Sequence, residues 1–589
     1  MLRIHICQQL QSQHLDDSLR KFSIIAGRKL SANEIACAKE MNLNWYYCPP
    51  LSAEEQKAYF GHFKKFWDQV IDGFGPQHHF WRNVVSSKMQ EWERSCAYRT
   101  LILFTLNQQQ KEEDINLIVV PGSSAEADVW HHWANDNHWD VLKNDCGTFS
   151  SRIFQEMRNV ARGIFYFLDC IRKKGKAGHL QKPHGFSFLI VSLFYKKSLR
   201  KDSYHDPFFG DLHKYINKNE SHCAYLLDCL DPVDARMAKD LKQCQEVDLF
   251  FIYSVISWKC LCAVFMKMLC RKIKWKHCIF FDCDLSRLLM WKARSFDTPF
   301  NLYAEIFYEG VKQLCQESDV HQMLFLFEGN AYERAAVQAF RECSAGDVRG
   351  YSHAVIYPLN LKLHVTDKEL KCRPQPDVLI SAGNHTKELL EKLRGGKGPK
   401  IAEGCSLRHI PEILPGQGGR EREYILIALD GTWSAVQYLN WIFDHADVFK
   451  DYKVCLRAHP NVGMDMLLSQ CLLKKPSHFE VSGRSLKGDF NKSFCVIYRQ
   501  SSLGIQALFN HIPAVYLNVD QPLSGDPIEK VRGDKYSVST KEELQSILQE
   551  LYQTRDKKRD GTAGDNRRLK EYFSKPTDQA IESFIKKSQ

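Results

Sequence analysis

From residue 186 to residue 517 the sequence alternates short apolar runs with segments of helical periodicity, in two successive series. Apolar runs such as Met323 to Phe327 and Phe494 to Tyr498 read as strands. Strands alternating with helices argue for parallel, doubly wound sheets. The first series predicts strands over Phe186–Phe194, Cys223–Asp228, Gln322–Phe327, Val348–Ile356 and Asp377–Ser381, with helices over Phe208–Ile216, Leu302–Cys315 and Ala331–Cys343. The second predicts strands over Tyr424–Leu429, Tyr452–Arg457, Phe494–Tyr498 and Ala514–Leu517, with helices over Ser434–His445, Met464–Leu473 and Leu503–Asn510. The Pro- and Gly-rich stretch Pro411–Arg422 reads as the linker between them.

The first 180 residues are read as a small α/β unit. It has a helix over Tyr59–Val70, strands over Thr100–Leu106 and Ile115–Pro121, and a helix from Ser123; the basic stretch Arg172–Lys182 serves as a linker. The expected organisation is therefore an accessory region at 1–180, Rossmann-like units at 185–410 and 423–545, and a helical tail at 546–589.

A hydrophobic fraction of 44% with 25% charged residues excludes a disordered chain, and 589 residues suffice for several cores. The formal charge of +10 suits an anionic substrate or a membrane surface, and the dense basic clusters of a nucleic-acid binder are missing. The 21 cysteines are scattered without paired CxxC spacing, so they read as reduced thiols, and with no apolar leader the expected location is cytoplasmic. The apolar segment Leu249–Leu269 carries Lys259 and Lys267 and reads as one buried or interfacial helix, giving peripheral attachment to the inner face of the plasma membrane as an expectation.

Chemistry concentrates after the predicted strands. Arg457-Ala458-His459-Pro460 sets two potential donors at a strand's carboxyl end, and Ser501-Ser502 opens a helix whose free N–H groups favour an anion. The first loop of the same unit is Leu429-Asp430-Gly431-Thr432-Trp433, which places Asp430, Gly431 and Thr432 in the cleft near such a ligand. In the earlier unit Glu328 ends a strand, where a carboxylate can take a proton from a hydroxyl; Glu333 lies in the first turn of the following helix and is equally a helix-dipole partner. Asp282-Cys283-Asp284 imitates a metal-binding DxD, but the surrounding pattern argues against that use, and Trp130-His131-His132-Trp133 lacks a third ligand.

Arg-x-His-Pro followed roughly 40 residues later by Ser-Ser resembles the donor domain of bacterial sialyltransferases, Kdo transferases and CDP-glycerol glycerophosphotransferases. The resemblance implies that His459, Ser501 and Ser502, with Arg457, contact the phosphate of a nucleotide, cytidine being the expected base. Asp430-Gly431 partly matches the acidic-Asp-Gly motif holding the base in bacterial sialyltransferases, but it opens the second unit here, so Asp430 is the lesser candidate. Phe327-Glu328-Gly329-Asn330-Ala331-Tyr332-Glu333 followed by Gly350-Tyr351-Ser352-His353 is similar to bacterial surface-carbohydrate (capsule and lipopolysaccharide) biosynthesis proteins. There Glu328 would be the base, and His353, with Tyr204 and His205 from the first loop, would face the acceptor. Two Rossmann-like units with a C-terminal helix crossing back over Arg567–Lys587 make the architecture called GT-B in glycosyltransferases. The resemblance spans residues 185–530. It implies a metal-independent transferase with a nucleotide-activated sugar as co-substrate, no other cofactor, and a glycan or lipid-linked acceptor. A nucleotide-sugar epimerase or hydrolase, and a non-catalytic glycan- or membrane-binding scaffold, are the competing readings.

Overall fold

The computed structural model describes the chain other than residues 1–2, 8, 11–21, 27, 75–77, 83, 89–95, 110–114, 145–148, 178–184, 201–202, 219–221, 230–243, 245, 272, 274–276, 297, 409–421, 461, 556–566 and 587–589. The linker read at Pro411–Arg422 therefore lies, except for Arg422, outside the described residues.

Three parallel sheets organise the molecule. The first contains β1 (Arg3–Ile6), β2 (Ser23–Ala26), β3 (Asn44–Trp45), β4 (Asn116–Val120) and β5 (Asp140–Asn144), in the order β3-β2-β4-β1-β5. The second begins with β6 (Phe188–Phe194); the hairpin β7 (Leu199–Arg200) and β8 (Ser203–Tyr204) follows, then β9 (Cys223–Cys229) and β10 (Asp248–Phe251). A second hairpin, β11 (Ile279–Phe280) and β12 (Cys283–Asp284), carries the DxD-like triplet, and Asp284 is tied to Ser286 and His277. β13 (Gln322–Leu326), β14 (Asp347–Ser352), β15 (Val378–Ser381) and β16 (Lys400–Glu403) complete the second sheet, ordered β10-β9-β6-β13-β14-β15-β16. The third holds β17 (Tyr424–Ala428), β18 (Lys453–Arg457), β19 (Phe479–Val481), β20 (Ser493–Tyr498), β21 (Ala514–Leu517) and β22 (Lys535–Val538), ordered β19-β18-β17-β20-β21-β22.

Numbered within each sheet, the second and third follow 3-2-1-4-5-6, with one further strand on the second. This is the doubly wound order, in which the crevice for a ligand opens where the strand sequence reverses: between β6 and β13, and between β17 and β20. The chain then returns to the second sheet. Ile356 N donates to Tyr572 Oη (2.9 Å), Ser574 N to Ala382 O (2.9 Å), Gln322 Nε2 to Ile585 O (3.0 Å), and Phe584 packs edge-on against Tyr351. Two Rossmann-like sheets and a returning tail make this a GT-B-like α/β fold with an additional N-terminal α/β body.

That N-terminal body is fused to the rest. One core joins Ile24, Trp45, Ile118 and Val120 to Ile425 and Val515 of the third sheet and to Leu439 of the helix Ala435–Asp444; another joins the opposite face of the first sheet to Phe280, Leu289, Leu359 and Leu523. At the seam Cys48 N donates to Asp520 Oδ1 (2.9 Å) and Leu51 N to Pro522 O (3.0 Å). Burial pushes the Asp520 carboxyl up to about 7, against Arg499 and the Cys48 amide. A carboxyl raised in the folded state favours the fold below its unfolded value near 3.8, and that contribution is lost as pH rises through about 7. Asp520→Asn is therefore expected to flatten the decline of the urea-unfolding midpoint between pH 5 and pH 8 relative to the parent.

Four local expectations are corrected. Thr100–Leu106 lies in a helix, Cys96–Gln109: residues 97–106 are buried on every side, so the period that separates helix from strand is invisible. The two threonines return their hydroxyls to the helix, Thr100 to Ala97 O and Thr105 to Leu101 O. The stretch Leu249–Leu269 is no single helix. Its start pairs with β9 as β10, a short turn follows, and Ser257 caps a new helix, Trp258–Leu269, by accepting from Cys260 N (3.0 Å). Among the described residues no helix is long and apolar enough to cross a membrane. Of the basic stretch Arg172–Lys182 read as linker, Arg172 to Ala177 is the end of a 29-residue helix, Phe149–Ala177, and residues 178–182 lie outside the described residues. The tail helix is two, Arg567–Lys570 and Asp578–Ile585, interrupted at Lys575-Pro576, where proline disfavours helical backbone before it.

Candidate functional site

At the carboxyl end of β13 the chain must leave the sheet within two residues. Phe327 N still bonds to Tyr351 O (2.8 Å), and Gly329 then takes φ +82°, with a hypothetical Cβ only 3.2 Å from Lys362 Cβ. This turn leaves the Glu328 carboxylate at the sheet edge, about one third exposed (37%). Its Oε1 is 3.4 Å from His353 Nε2 at the end of β14, and its Oε2 accepts from Asn330 Nδ2 (3.3 Å). Burial opposes ionisation of Glu328, yet the fields of His353, Lys362 and Arg408 and the Asn330 amide outweigh it, holding the carboxyl below its ordinary value. Burial pushes His353 down to about 4, against the pull of Glu328, so its imidazole is neutral at physiological pH.

Glu333 holds this turn in place. Its buried carboxyl accepts from Glu328 N (3.1 Å), Gly329 N (2.8 Å) and Asn330 Nδ2 (2.8 Å). Burial and the neighbouring Glu328 push it up to about 7. Of its two expected roles, the partner of the helix start is the one the contacts describe.

The loop after β6 shapes the wall behind His353. Tyr204 is a fully buried core residue rather than a cleft residue: its hydroxyl donates to Asp206 Oδ2 (2.7 Å), and its ring packs on Phe194 and Tyr225. Asp206 Oδ1 takes the N–H groups of Phe208 and Phe209, each at 2.8 Å. The result presents Phe208 edge-on to His353, ring centroids 4.9 Å apart, with the Arg408 guanidinium 4.5 Å from the same phenyl ring. His205 is half-buried and sits 3.1 Å from Asp211. Arg408, in the loop after β16, was absent from the sequence reading and sits in no recognisable motif, whereas Phe208 belongs to the loop Ser203–Gly210 that the sequence reading set towards the acceptor.

The opposing edge belongs to the third sheet. Asp430 opens the first loop, but its carboxylate is buried against Arg499 Nη2 (2.8 Å) and accepts from Thr432 N (2.9 Å) and Thr432 Oγ1 (2.6 Å). Arg499 also donates to Ser434 Oγ and lies over Tyr438, 5.0 Å from the ring centre. The ion pair thus joins the β17 and β20 loops at the crevice and engages Thr432 with it, so the Asp430 carboxylate is buried against a cation rather than open to solvent. Arg457 Nη1 binds Asp489 Oδ2 (2.7 Å) and Arg484 O (3.0 Å).

Gly431 and His459 do come together. A Cβ on Gly431 would sit 2.7 Å from His459 Nδ1, so the backbone passes directly against the imidazole. Burial lowers the His459 pKa, with Asp430 opposing and Arg408 adding to the effect. Ser501 is buried and accepts from Leu503 N (3.2 Å), capping the helix Leu503–Phe509; Ser502, half-buried, makes no side-chain cap bond. Gly431→Ala is expected to displace the His459 ring and weaken binding of any anion there by roughly ten-fold, the loss of one charge-region contact, read by titration calorimetry.

Common charged neighbours act on both edges. Arg408 acts on Glu328, His353 and His459, and Tyr357 lies in the fields of both Glu328 and Asp430. Tyr357 Oη donates to Gln500 Oε1 (3.2 Å), and Leu359 N to Ser524 O (2.9 Å). Beyond this seam a cavity of about 460 Å³ is lined by Gln56 of the N-terminal body and by Asn518, Gln521, Asp526, Arg532 and Lys535. Among the described residues no group of three or more His, Cys, Asp or Glu is arranged to hold a metal.

No protein-family model and no curated protein sequence matches this chain. Solved structures with a similar fold include MurG from Acinetobacter baumannii, at 10% identity and TM-score 0.33, over 68% of this chain and 98% of that one. A glycosyltransferase from Rickettsia africae matches at 11% identity and TM-score 0.35, over 68% and 94%. The UDP-GlcNAc 2-epimerase from Neisseria meningitidis matches at 10% identity and TM-score 0.37, over 68% and 98%. The fold assignment itself rests on the two strand orders and the returning tail.

Proposed function

We propose that this chain is a GT-B-type glycosyltransferase that moves a sugar, or a related polyol phosphate, from a nucleotide-activated donor to a surface glycan or its lipid-linked precursor. What supports the reading is the Glu328–His353 pair at the carboxyl edge of one Rossmann-like sheet and the close approach of Gly431 to His459 at the carboxyl edge of the other. Glu328, ionised and partly exposed, takes the proton of the acceptor hydroxyl; the acceptor oxygen bonds to the transferred centre, and the bond to the nucleotide phosphate breaks with its electrons. The departing phosphate meets His459, the Ser502 hydroxyl and the N–H groups of the helix start, which stabilise the growing charge without a metal.

A panel of CMP, CDP, UDP and GDP tests the donor half, because a ligand that binds only the folded chain raises its melting temperature. A response confined to cytidine nucleotides supports the sialyl, Kdo or glycerol-phosphate branch. His459→Ala and Ser502→Ala are expected to abolish the response, and unchanged binding and transfer in both variants would remove the phosphate clamp from the account.

Glu333, held near 7 beside an ionised Glu328, favours one other reading. A nucleotide-sugar epimerase needs an acid and a base side by side. It would convert the nucleotide sugar with no acceptor present, whereas the transferase requires one.

A further inference from the structure

The helix Phe149–Ala177 is fixed by one face and bare on the other. On the inner face Asn159 Oδ1 accepts from Phe296 N (2.6 Å), Phe167 stacks on Phe265 at 4.2 Å, and Lys174 Nζ donates to Tyr253 O (3.1 Å). Gly163 lies so close that a Cβ would sit 2.7 Å from the Phe296 ring. The outer face carries Ile153, Met157, Val160, Ile164 and Leu168 at i, i+4, i+7, i+11 and i+15, one stripe about 22 Å long at helical rise. Phe154 and Phe165 stand beside it; Phe165 is 67% exposed, Met157 66% and Phe154 60%. A contiguous run of large apolar side chains in solvent marks an interaction site.

Charge decides among the occupants. Arg158, Arg162, Arg172, Lys173 and Lys176 fall at i, i+4, i+14, i+15 and i+18, along one edge of the stripe. Between residues 152 and 176 there are seven basic residues and two acidic ones. Both acids are compensated: Glu156 pairs with Arg294, and Asp169 with Arg172 (2.8 Å) and Lys173 (3.0 Å). A second copy seated on this face with the two helices antiparallel would oppose its basic edge with another, which repels. An anionic bilayer surface meets both halves of the pattern, taking the apolar side chains below the headgroups and the cations at them. The neighbouring helix Trp258–Leu269 adds exposed Trp258, Met266 and Leu269, with Lys259.

We infer that the outer face of helix Phe149–Ala177 docks on an anionic lipid bilayer, lying in the interface plane. The inference is independent of the transferase chemistry. The full chain is floated with vesicles of phosphatidylcholine alone and with about one third phosphatidylglycerol. Expected is binding to the anionic vesicles that falls as salt is raised, and a loss of at least about ten-fold in the Phe154→Ser, Phe165→Ser double variant, since each buried phenyl ring is a major anchor. The variant should keep the parent's melting temperature because both rings are exposed; should it misfold, Met157→Asp gives the same reading. Failure of the parent to bind anionic vesicles, binding that ignores the variants, or a parent dimer that the variants convert to monomer without vesicle binding would each overturn the inference.

Discussion

Glu328→Gln is expected to lower the transfer rate by about 10²–10⁴-fold, the range for loss of a positioned general base, while leaving nucleotide affinity unchanged. The amide keeps the size of the side chain and can still meet Asn330 and His353, so the loss isolates proton removal from geometry. Glu328 is held below its ordinary value, so it stays ionised down to acid pH, and the acid limb of the rate profile should lie below pH 4.5. His353 supplies the complementary stability signature. It is neutral in the folded chain down to about 4, whereas the unfolded chain protonates near 6.5. Folding stability therefore drops as pH falls from 6.5 towards 4, and His353→Gln should remove that part of the drop. A purely structural Glu328 would move the melting curve and leave the rate alone.

Asp430→Ala is expected to destabilise the protein by about 3–5 kcal/mol, because it leaves the Arg499 guanidinium buried without its counter-charge. Arg499 is fully buried and Asp430 nearly so, and the same carboxylate holds Thr432 N and Oγ1. The loss should appear as a fall in the urea midpoint with little change in slope. The double variant Asp430→Leu, Arg499→Met, which removes both charges, should recover much of it, since a buried ion pair contributes little beyond its apolar replacement. Catalytic loss in Asp430→Ala at full stability would instead return Asp430 to the role of base.

The parallel strands of both Rossmann-like sheets were legible because strands buried on two faces are written as unbroken apolar runs, and β13, β17, β20 and β21 fall within a residue or two of where those runs predict. The same signal misled at Thr100–Leu106, where a helix buried all round writes an identical run. Within the site, Glu328 and His459 were visible because strand-end position alone brings a residue to the carboxyl edge. The direction a side chain takes from that edge was not. Arg457 and Asp430 sit where the pattern puts them, yet each meets a buried partner of opposite charge, Asp489 and Arg499, contributed from 32 and 69 residues away. Arg408 reaches the site from a loop whose course only the folded chain reveals.

The central claim is that one cleft holds a base on the second sheet and a nucleotide phosphate site on the third. It is tested most directly by the nucleotide-induced rise in melting temperature of the parent, His459→Ala and Glu328→Gln, measured side by side. The account predicts that at least one nucleotide diphosphate or monophosphate raises the melting temperature of the parent and of Glu328→Gln equally, and that His459→Ala loses the rise. A parent that responds to none of the four nucleotides, or a His459→Ala that responds like the parent, would contradict it.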